Sequence, residues 1–547
     1  MKNNHGFTRI LALSSCALAL PLLSGCDLYS LFGSSSTNSL APSSSIHQND
    51  FDGYYQTTGN SPCTFHHIGR WNESPYLPSS GDVKVLVVPV EFSDYPFADG
   101  VLTDIRNVTA GSAQDTNYWE SLSSFYSKSS YGKLNLSFVQ TDVLEVGTVA
   151  EFVNDAINRG GLRSYESAPE YALGLAVDSY KKKNGNTSTK QFDSDNDGYI
   201  DSVIMVYSAP NYTMEKKLEK YGNLFWAFCY SPTLPTDPMN FSPVGYRYFW
   251  TSYDFFYTGT KNMFGHNGVD GHTLIHETGH LLGADDYYNT ATEQGESNEP
   301  SGGLMMMGYN VNDHDMFTKL CYDWVHPYCP TDDCTIAIKP SQISGDCIVV
   351  ADDWNGTGFD EFLLIDFVTP TGLNELDSKT VYAEYAGKLT ETGFRNPGIR
   401  VFHIDNRLVY GYGYNSDNYF DAAGLVADSD IKNFSAYKPT VQKNNKTYYA
   451  AVAPGVSNSR AYDCSLFQGK GYDLITMIQR GGRYSWRNGG SATSADLFQA
   501  GDTFTMSKYS SFFVNSYTLN NGNSLGFEFT VDSLASDQAV ISFKKVK

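Results

Sequence analysis

Positive charge is scarce in this sequence: 38 lysines and arginines face 60 aspartates and glutamates over 547 residues, a formal net charge of −22. That balance excludes a nucleic-acid backbone as partner, because no basic field exists to neutralise phosphates. The run Lys181-Lys182-Lys183 is too short to change this and reads as a solvated loop. No segment beyond the N-terminus is long and apolar enough to cross a bilayer as a helix. No internal repeat of fixed period is present. The length suffices for two to four domains at roughly 150 residues each.

What is there begins with an export signal. Lys2 and Arg9 precede an apolar run over 10–23 that Pro21 interrupts, too short to span a membrane comfortably. It closes on Leu23-Ser24-Gly25-Cys26, similar to a bacterial lipobox, with an ordinary signal peptide as the alternative. Residues 1–25 are therefore expected to leave and Cys26 to carry lipid. Residues 26–50, rich in Ser, Thr, Asn and Pro over 34–45, read as a flexible tether. A bacterial lipoprotein held at the outer face of a cell, and otherwise monomeric, is the expected setting. Of nine cysteines, removing Cys16 and Cys26 leaves Cys63, Cys229, Cys321, Cys329, Cys334, Cys347 and Cys464, an odd set with at least one unpaired. Cys321, Cys329, Cys334 and Cys347 cluster, and pairing among them is expected in an oxidising compartment. Their spacing is too loose for a structural zinc site.

Apolar runs at 83–92, 134–138 and 202–207 read as strands, and 118–130, 169–182 and 270–282 as helices. Their alternation predicts an α/β (α+β) catalytic domain over 51–335. From 336 to 547 the runs shorten, at 347–350, 362–367, 399–404, 448–452, 527–531 and 539–543, with 335–338 at the boundary. Gly, Asn, Asp and Ser punctuate them, which predicts an all-β, sandwich-like C-terminal domain. Tyr410, Tyr412 and Tyr414, with glycines between, fit either a glycan-binding surface or aromatics alternating along a strand.

Chemistry is concentrated at His276-Glu277-Thr278-Gly279-His280, an HExxH motif. On a helix, positions four apart share a face, so both imidazoles can reach one ion. Gly283 then ends the helix and allows a turn that returns Asp286 as third ligand, with Asp285 as competitor. Three protein ligands leave the open position of a catalytic zinc (Zn2+), which lowers the pKa of a bound water to about 7, and Glu277 is placed to take its proton. Downstream, Leu304-Met305-Met306-Met307-Gly308-Tyr309 is similar to the methionine turn of the metzincin clan, with Met307 chosen as its methionine. Tyr309 then falls where a phenol can stabilise an oxyanion.

The stretch GHTLIHETGHLLGADDYY carries the HExxHxxGxxD pattern and resembles the immune inhibitor A family of metallopeptidases. MMMGYNVNDHDMFTKLCYDWVHP is similar to that family's following segment, with Lys319 and Trp324 matching and Asp323 standing where glycine is usual. VKVLVVPVEFSD, SFYSKSSYGKLNL, FWAFCYS and GIRVFHIDNRL resemble further blocks. The resemblance implies a metzincin-like fold, a zinc metalloendopeptidase acting on proteins or peptides, and bound calcium. Only residues 46–82 lie between tether and first strand, which leaves little room for a long inhibitory prosegment; Cys63 is either a thiolate cap on zinc, a disulfide partner or a core cysteine.

An acidic loop supplies a calcium (Ca2+) candidate: Asp193, Asp195, Asp197 and Asp201 occupy positions 1, 3, 5 and 9, with Gly198 at 6 and Tyr199 at 7. Ile204 stands where an EF-hand needs glutamate, so this is a calcium loop of another kind or a solvated acidic turn. A rival to the peptidase from another class is a catalytically silent surface binding protein or adhesin that keeps the fold; zinc-dependent deamidation or esterolysis would use the same residues. Glu277 favours the enzyme, since a metal-holding scaffold has no need of it.

Overall fold

The computed structural model describes residues 47–546 apart from 59–75, 113–118, 161–164, 186, 233–236, 258–268, 289–298, 381–389, 415–419, 432–439, 453–472 and 487–489. The signal segment, most of the tether, Cys26, Cys63 and Cys464 lie outside the described residues. The protein is a mixed α/β structure with several sheets. Among the described residues no helix is long and apolar enough to cross a membrane.

Valine-rich Gly81–Glu91 cannot satisfy its apolar side chains on one face alone. Val83, Val85 and Val87 enter one hydrophobic core and Leu86, Val88 and Val90 another, as the period of two dictates. Such a strand belongs inside a sheet covered on both sides. Leu134–Gln140 and Val203–Tyr207 flank it in parallel, Tyr248–Ser252 adds in parallel to the latter, and Phe228–Tyr230 closes the edge antiparallel. Helices Val149–Gly160 and Ala168–Lys183 cover one face. Val101–Ala110, Leu122–Ser129 and His272–Leu281 pack on the other. Leu122–Ser129 starts from a capping box at Ser121 and ends on Tyr131 and Gly132, both at positive φ.

Beyond residue 334 the strands expected from sequence are present, and most pair with a neighbour in sequence, but the sheets also draw in strands from far away. Cys347–Val350, Glu361–Val368, Gly398–Asp405 and Ile475–Met477 extend a sheet whose other edge is the hairpin His47–Phe51 and Tyr54–Thr58, joined through Tyr328–Pro330. The first strand of that hairpin occupies the end of the stretch read as tether. Cys334–Ile338, Ala539–Lys545, Phe527–Leu534 and Thr503–Phe504 make a second sheet. Phe420–Leu425, Leu408–Tyr414, Lys446–Val452 and Thr440–Lys443 make a third, with Tyr410 and Tyr412 each edge-on to Tyr448. One hydrophobic core runs without a break from the parallel sheet through the His272–Leu281 helix to the seven-stranded sheet.

The cysteine expectation is corrected. No disulfide joins any two of Cys229, Cys321, Cys329, Cys334 and Cys347. Cys329 and Cys347 sit on neighbouring parallel strands, but Tyr328 pairs with Ile348, so the two cysteines are offset along the ladder. Cys321 belongs to the helix Met316–Cys321, and Cys334 to a different sheet.

His272 ties the first turn of the central helix to the C-terminal half. Its Nδ1 lies 2.6 Å from Asp270 Oδ1 and its Nε2 3.5 Å from Asp377 Oδ1, all three side chains buried. The ring stacks on Trp119 at 3.7 Å between centroids. Burial opposes a charge on the imidazole, but the two carboxylates outweigh it and hold the pKa up to about 9. A pKa raised on folding adds stability that is complete below the unfolded value of 6.5 and disappears as pH rises through about 9. The stability difference between wild type and His272→Gln should therefore be on the order of 2–3 kcal/mol near pH 6 and shrink towards zero above pH 9. Denaturant melts of both proteins across that range measure it; a difference that does not vary with pH would show the histidine to be neutral.

Candidate metal centre

The helix His272–Leu281 is buried along its whole length. Leu274, Ile275 and Leu281 face the core, and the helical repeat leaves His276 and His280 together on another face. The helix stops as expected: Gly283 takes φ +104°, a left-handed conformation that a side chain would strain. The chain then turns back and brings Asp286 to the histidines. Asp286 Oδ1 lies 3.0 Å from His276 Nε2 and 3.5 Å from His280 Nε2, and the two Nε2 atoms are 3.1 Å apart. Ligands tetrahedrally arranged around zinc at its usual bond lengths are about 3.3 Å apart. Asp285 is half-buried and takes no part in this triangle.

The hydrogen bonds behind the triangle fix its chemistry. His276 Nδ1 lies 2.8 Å from Met306 O, and His280 Nδ1 2.8 Å from Ala284 O. A backbone carbonyl can only accept, so each Nδ1 carries a proton and each Nε2 faces inward. With no ion bound, His280 Nε2 holds a second proton against Asp286, and a cation shared by the two Nε2 atoms takes the place of that proton. Asp286 supplies the anionic ligand: burial opposes its ionisation, but His280 and His276 hold its carboxyl well below the usual range. Burial likewise disfavours a charged His280, yet Asp286 keeps that imidazole up at about 9. These three atoms can hold one small divalent ion.

Glu277 comes within 4.8 Å of both histidine ligand atoms. Asp286, not Glu277, completes the triangle by the distances above, which leaves Glu277 beside the centre. Its Oε2 is buried without a hydrogen-bond partner, and burial pushes the carboxyl up from its ordinary value. A carboxylate so placed is suited to receive a proton.

Searches against protein-family models and against curated proteins find no match. The supporting structure must therefore speak for itself. Met307 is the methionine beneath the helix: a Cβ added at Gly279 would meet its Sδ at 2.5 Å. Met305 and Met306 are core residues, and the Met306 carbonyl orients His276. Tyr126 and Tyr322 donate to Ile275 O and Gly279 O, each 2.7 Å away and one residue before a histidine ligand. His314 fills the space between those rings, edge-on to Phe125, Tyr322 and Trp324, and is held neutral by burial, with Lys319 nearby adding to the effect. Cys229 Sγ donates to Glu277 O at 3.0 Å, and Arg247 to His280 O at 3.4 Å. Asp323, standing where the resembled family has glycine, takes φ +68°, the conformation that glycine favours. Tyr126, Cys229, His314 and Tyr322 lie in blocks that resemble the family, but neither they nor Arg247 stood out there as supports, because each reaches the helix through the fold.

The Tyr309 hydroxyl has a partner of its own. It is hydrogen-bonded to Glu299, a buried carboxyl that burial pushes up to about 8, with the Asp286 charge adding to the rise. Glu299, too, went unmarked in the sequence.

At the acidic loop, Asp193, Asp195 and Asp197 present oxygens within 4.8 Å of one another. Lys190 Nζ takes Asp193 Oδ2 at 2.6 Å, while Asp193 Oδ1 is buried without a hydrogen-bond partner. Asn196 and Gly198 take positive φ and let the loop close. Tyr199 N donates to Asp197 Oδ1 at 2.8 Å. Asp201 is turned towards Ser194, accepting from its N and Oγ, and burial pushes its carboxyl up to about 8. Burial and the neighbouring Asp195 raise Asp197 as well.

The close approach of Met307 to Gly279 makes a specific forecast. Gly279→Ala should lose about 1–3 kcal/mol of stability through overpacking, and Met307→Ala in the same chain should recover much of it. Denaturant melts of the two single variants and the double variant provide the check; additive losses would mean that the two sites do not touch.

Proposed function

We propose that the chain is a zinc metalloendopeptidase of metzincin type, related to the immune inhibitor A family, acting on protein or peptide substrates from a cell surface where lipidated Cys26 anchors it. The observation that carries this reading is the convergence of His276 Nε2, His280 Nε2 and Asp286 Oδ1 next to a buried Glu277 oxygen with no hydrogen-bond partner. The donor set of two imidazoles and one carboxylate suits zinc, and three protein ligands leave the fourth tetrahedral position to a water. A zinc ion held there supplies a Lewis acid and brings the pKa of water near 7. Glu277 takes the proton from the attacking water and passes it to the leaving amine nitrogen. Tyr309 donates a hydrogen bond to the developing oxyanion.

A peptide substrate is supported by the sheet. Phe228–Tyr230 is its outermost strand, and Cys229 on that strand contacts the backbone of Glu277. An extended segment pairing with a sheet edge beside the centre lays a peptide bond along the reacting groups. The parallel sheet with one antiparallel edge supports a metzincin-like catalytic unit, and the strand-rich region after residue 334 supports an all-β accessory unit.

Casein hydrolysis by the purified protein, with zinc and calcium present, tests the reading. Glu277→Ala should lower the rate about 10²- to 10⁴-fold while one equivalent of zinc stays bound. Zinc bound at one equivalent with no cleavage by wild type would favour a silent binding protein instead. We also propose calcium as a structural ion held by Asp193, Asp195 and Asp197, with Tyr199 and Asp201 closing the loop. Removing calcium with a calcium-selective chelator, zinc retained, should lower the melting temperature by several degrees. An unchanged melt ends that assignment.

A further inference from the structure

We infer that Glu299 is the positioning residue for Tyr309, and that the C-terminal half of the chain serves the reaction by holding Glu299 in place. This rests on the peptidase reading. Tyr309 has one hydroxyl proton to give, and in this structure it gives it to Glu299. Donation to an oxyanion therefore means exchanging one acceptor for another.

The fixing is visible in the backbone. Tyr309 N donates to Gly303 O at 3.1 Å, and Gly302 N to Glu299 O at 3.0 Å, so Glu299 and Tyr309 share one turn system. Gly303 takes φ +77°, and a Cβ there would stand 2.3 Å from Tyr309 Cε2, so the phenol ring lies directly on the glycine. The C-terminal half holds the turn from outside. Met477 N donates to Pro300 O and Ala492 N to Gly302 O, both at 2.9 Å. A Cβ at Gly302 would meet Ala492 Cβ at 2.8 Å and the Trp486 ring at 3.0 Å. Glu299 itself is 5 % exposed. A buried carboxyl group on a turn anchored at both carbonyls is a rigid support for the phenol.

An interaction realised only in the transition state acts on kcat and leaves KM alone. Glu299 does not touch substrate; it acts through Tyr309. Glu299→Ala should accordingly lower kcat on a peptide substrate by about 10², with KM unchanged, by the same factor as Tyr309→Phe, and the double variant should be no slower than either. Glu299→Gln, which keeps an acceptor at the same reach, should return kcat to within about tenfold of wild type.

The same four proteins, wild type, Glu299→Ala, Tyr309→Phe and the double variant, are also melted in denaturant, which needs no activity. Non-additive losses in both kcat and stability support the proposal. Additive losses in kcat, or a Glu299→Ala enzyme as fast as wild type beside a slow Tyr309→Phe, overturn it. Wild type that cleaves nothing while the stability cycle stays non-additive overturns the peptidase reading and the catalytic role together, leaving the pair as structure alone. Wild type that cleaves while stability losses add overturns the pairing and leaves the peptidase reading standing.

Discussion

Two imidazole nitrogens and a carboxylate oxygen face one another at a buried centre, and most of the structure around them exists to enforce that arrangement. Left to relax, the two rings would be free to turn apart. They do not, because each histidine is held from behind by a carbonyl, and because the backbone of their helix is itself held by two phenols, a thiol and a guanidinium. An ion of matching charge and size turns this cost into binding energy. The rigidity therefore counts twice, once in selecting a small tetrahedral ion and again in keeping Glu277 from drifting into the ligand set.

The second constraint is electrostatic and lies at the ends of that helix and behind it. Buried charges here come in matched groups: His272 between two aspartates, Lys319 on Asp313, Arg400 paired through two nitrogens to Asp366. The first joins the HExxH helix to Asp377 in the C-terminal half, Lys319 and Asp313 lie six residues apart, and Arg400 and Asp366 face each other on neighbouring strands. Losing one partner of such a pair leaves a charge that neither water nor protein satisfies, which is far more damaging than losing a surface pair. The two halves of the chain are thus joined by contacts that do not tolerate sliding.

Much of the centre was legible in the sequence because its geometry is local. His276 and His280 are four apart on a helix, Gly283 follows within one turn, and Asp286 returns three residues later; helical spacing and glycine's freedom at positive φ are enough to bring them together. The strands were legible for a similar reason, since short apolar runs such as 83–92, 202–207 and 362–367 declare themselves. Illegible were the relations between distant segments. Nothing at Glu299 marks it as the partner of Tyr309, since the bond depends on a turn that the strand ending at Met477 and the loop at Ala492 hold in place. His314 reads as a stray histidine until Phe125, Tyr322 and Trp324 close around it. The seven-stranded sheet could not be read because its order is set by packing across the whole chain.

That sheet has one further consequence. Its edge is a hairpin from the N-terminal end of the described chain, hydrogen-bonded to residues near 327, and Gln56 reaches the carbonyl of His326 across 270 residues of sequence. The parallel sheet that carries the HExxH helix draws its strands from a contiguous stretch and can assemble as that stretch emerges. The hairpin cannot; its partners are synthesised long after it is. During synthesis it waits with an open edge, and the long loop it finally closes makes its docking a late and slow step. The parallel sheet and the sheet that braces it thus mature at different times, and the brace comes last.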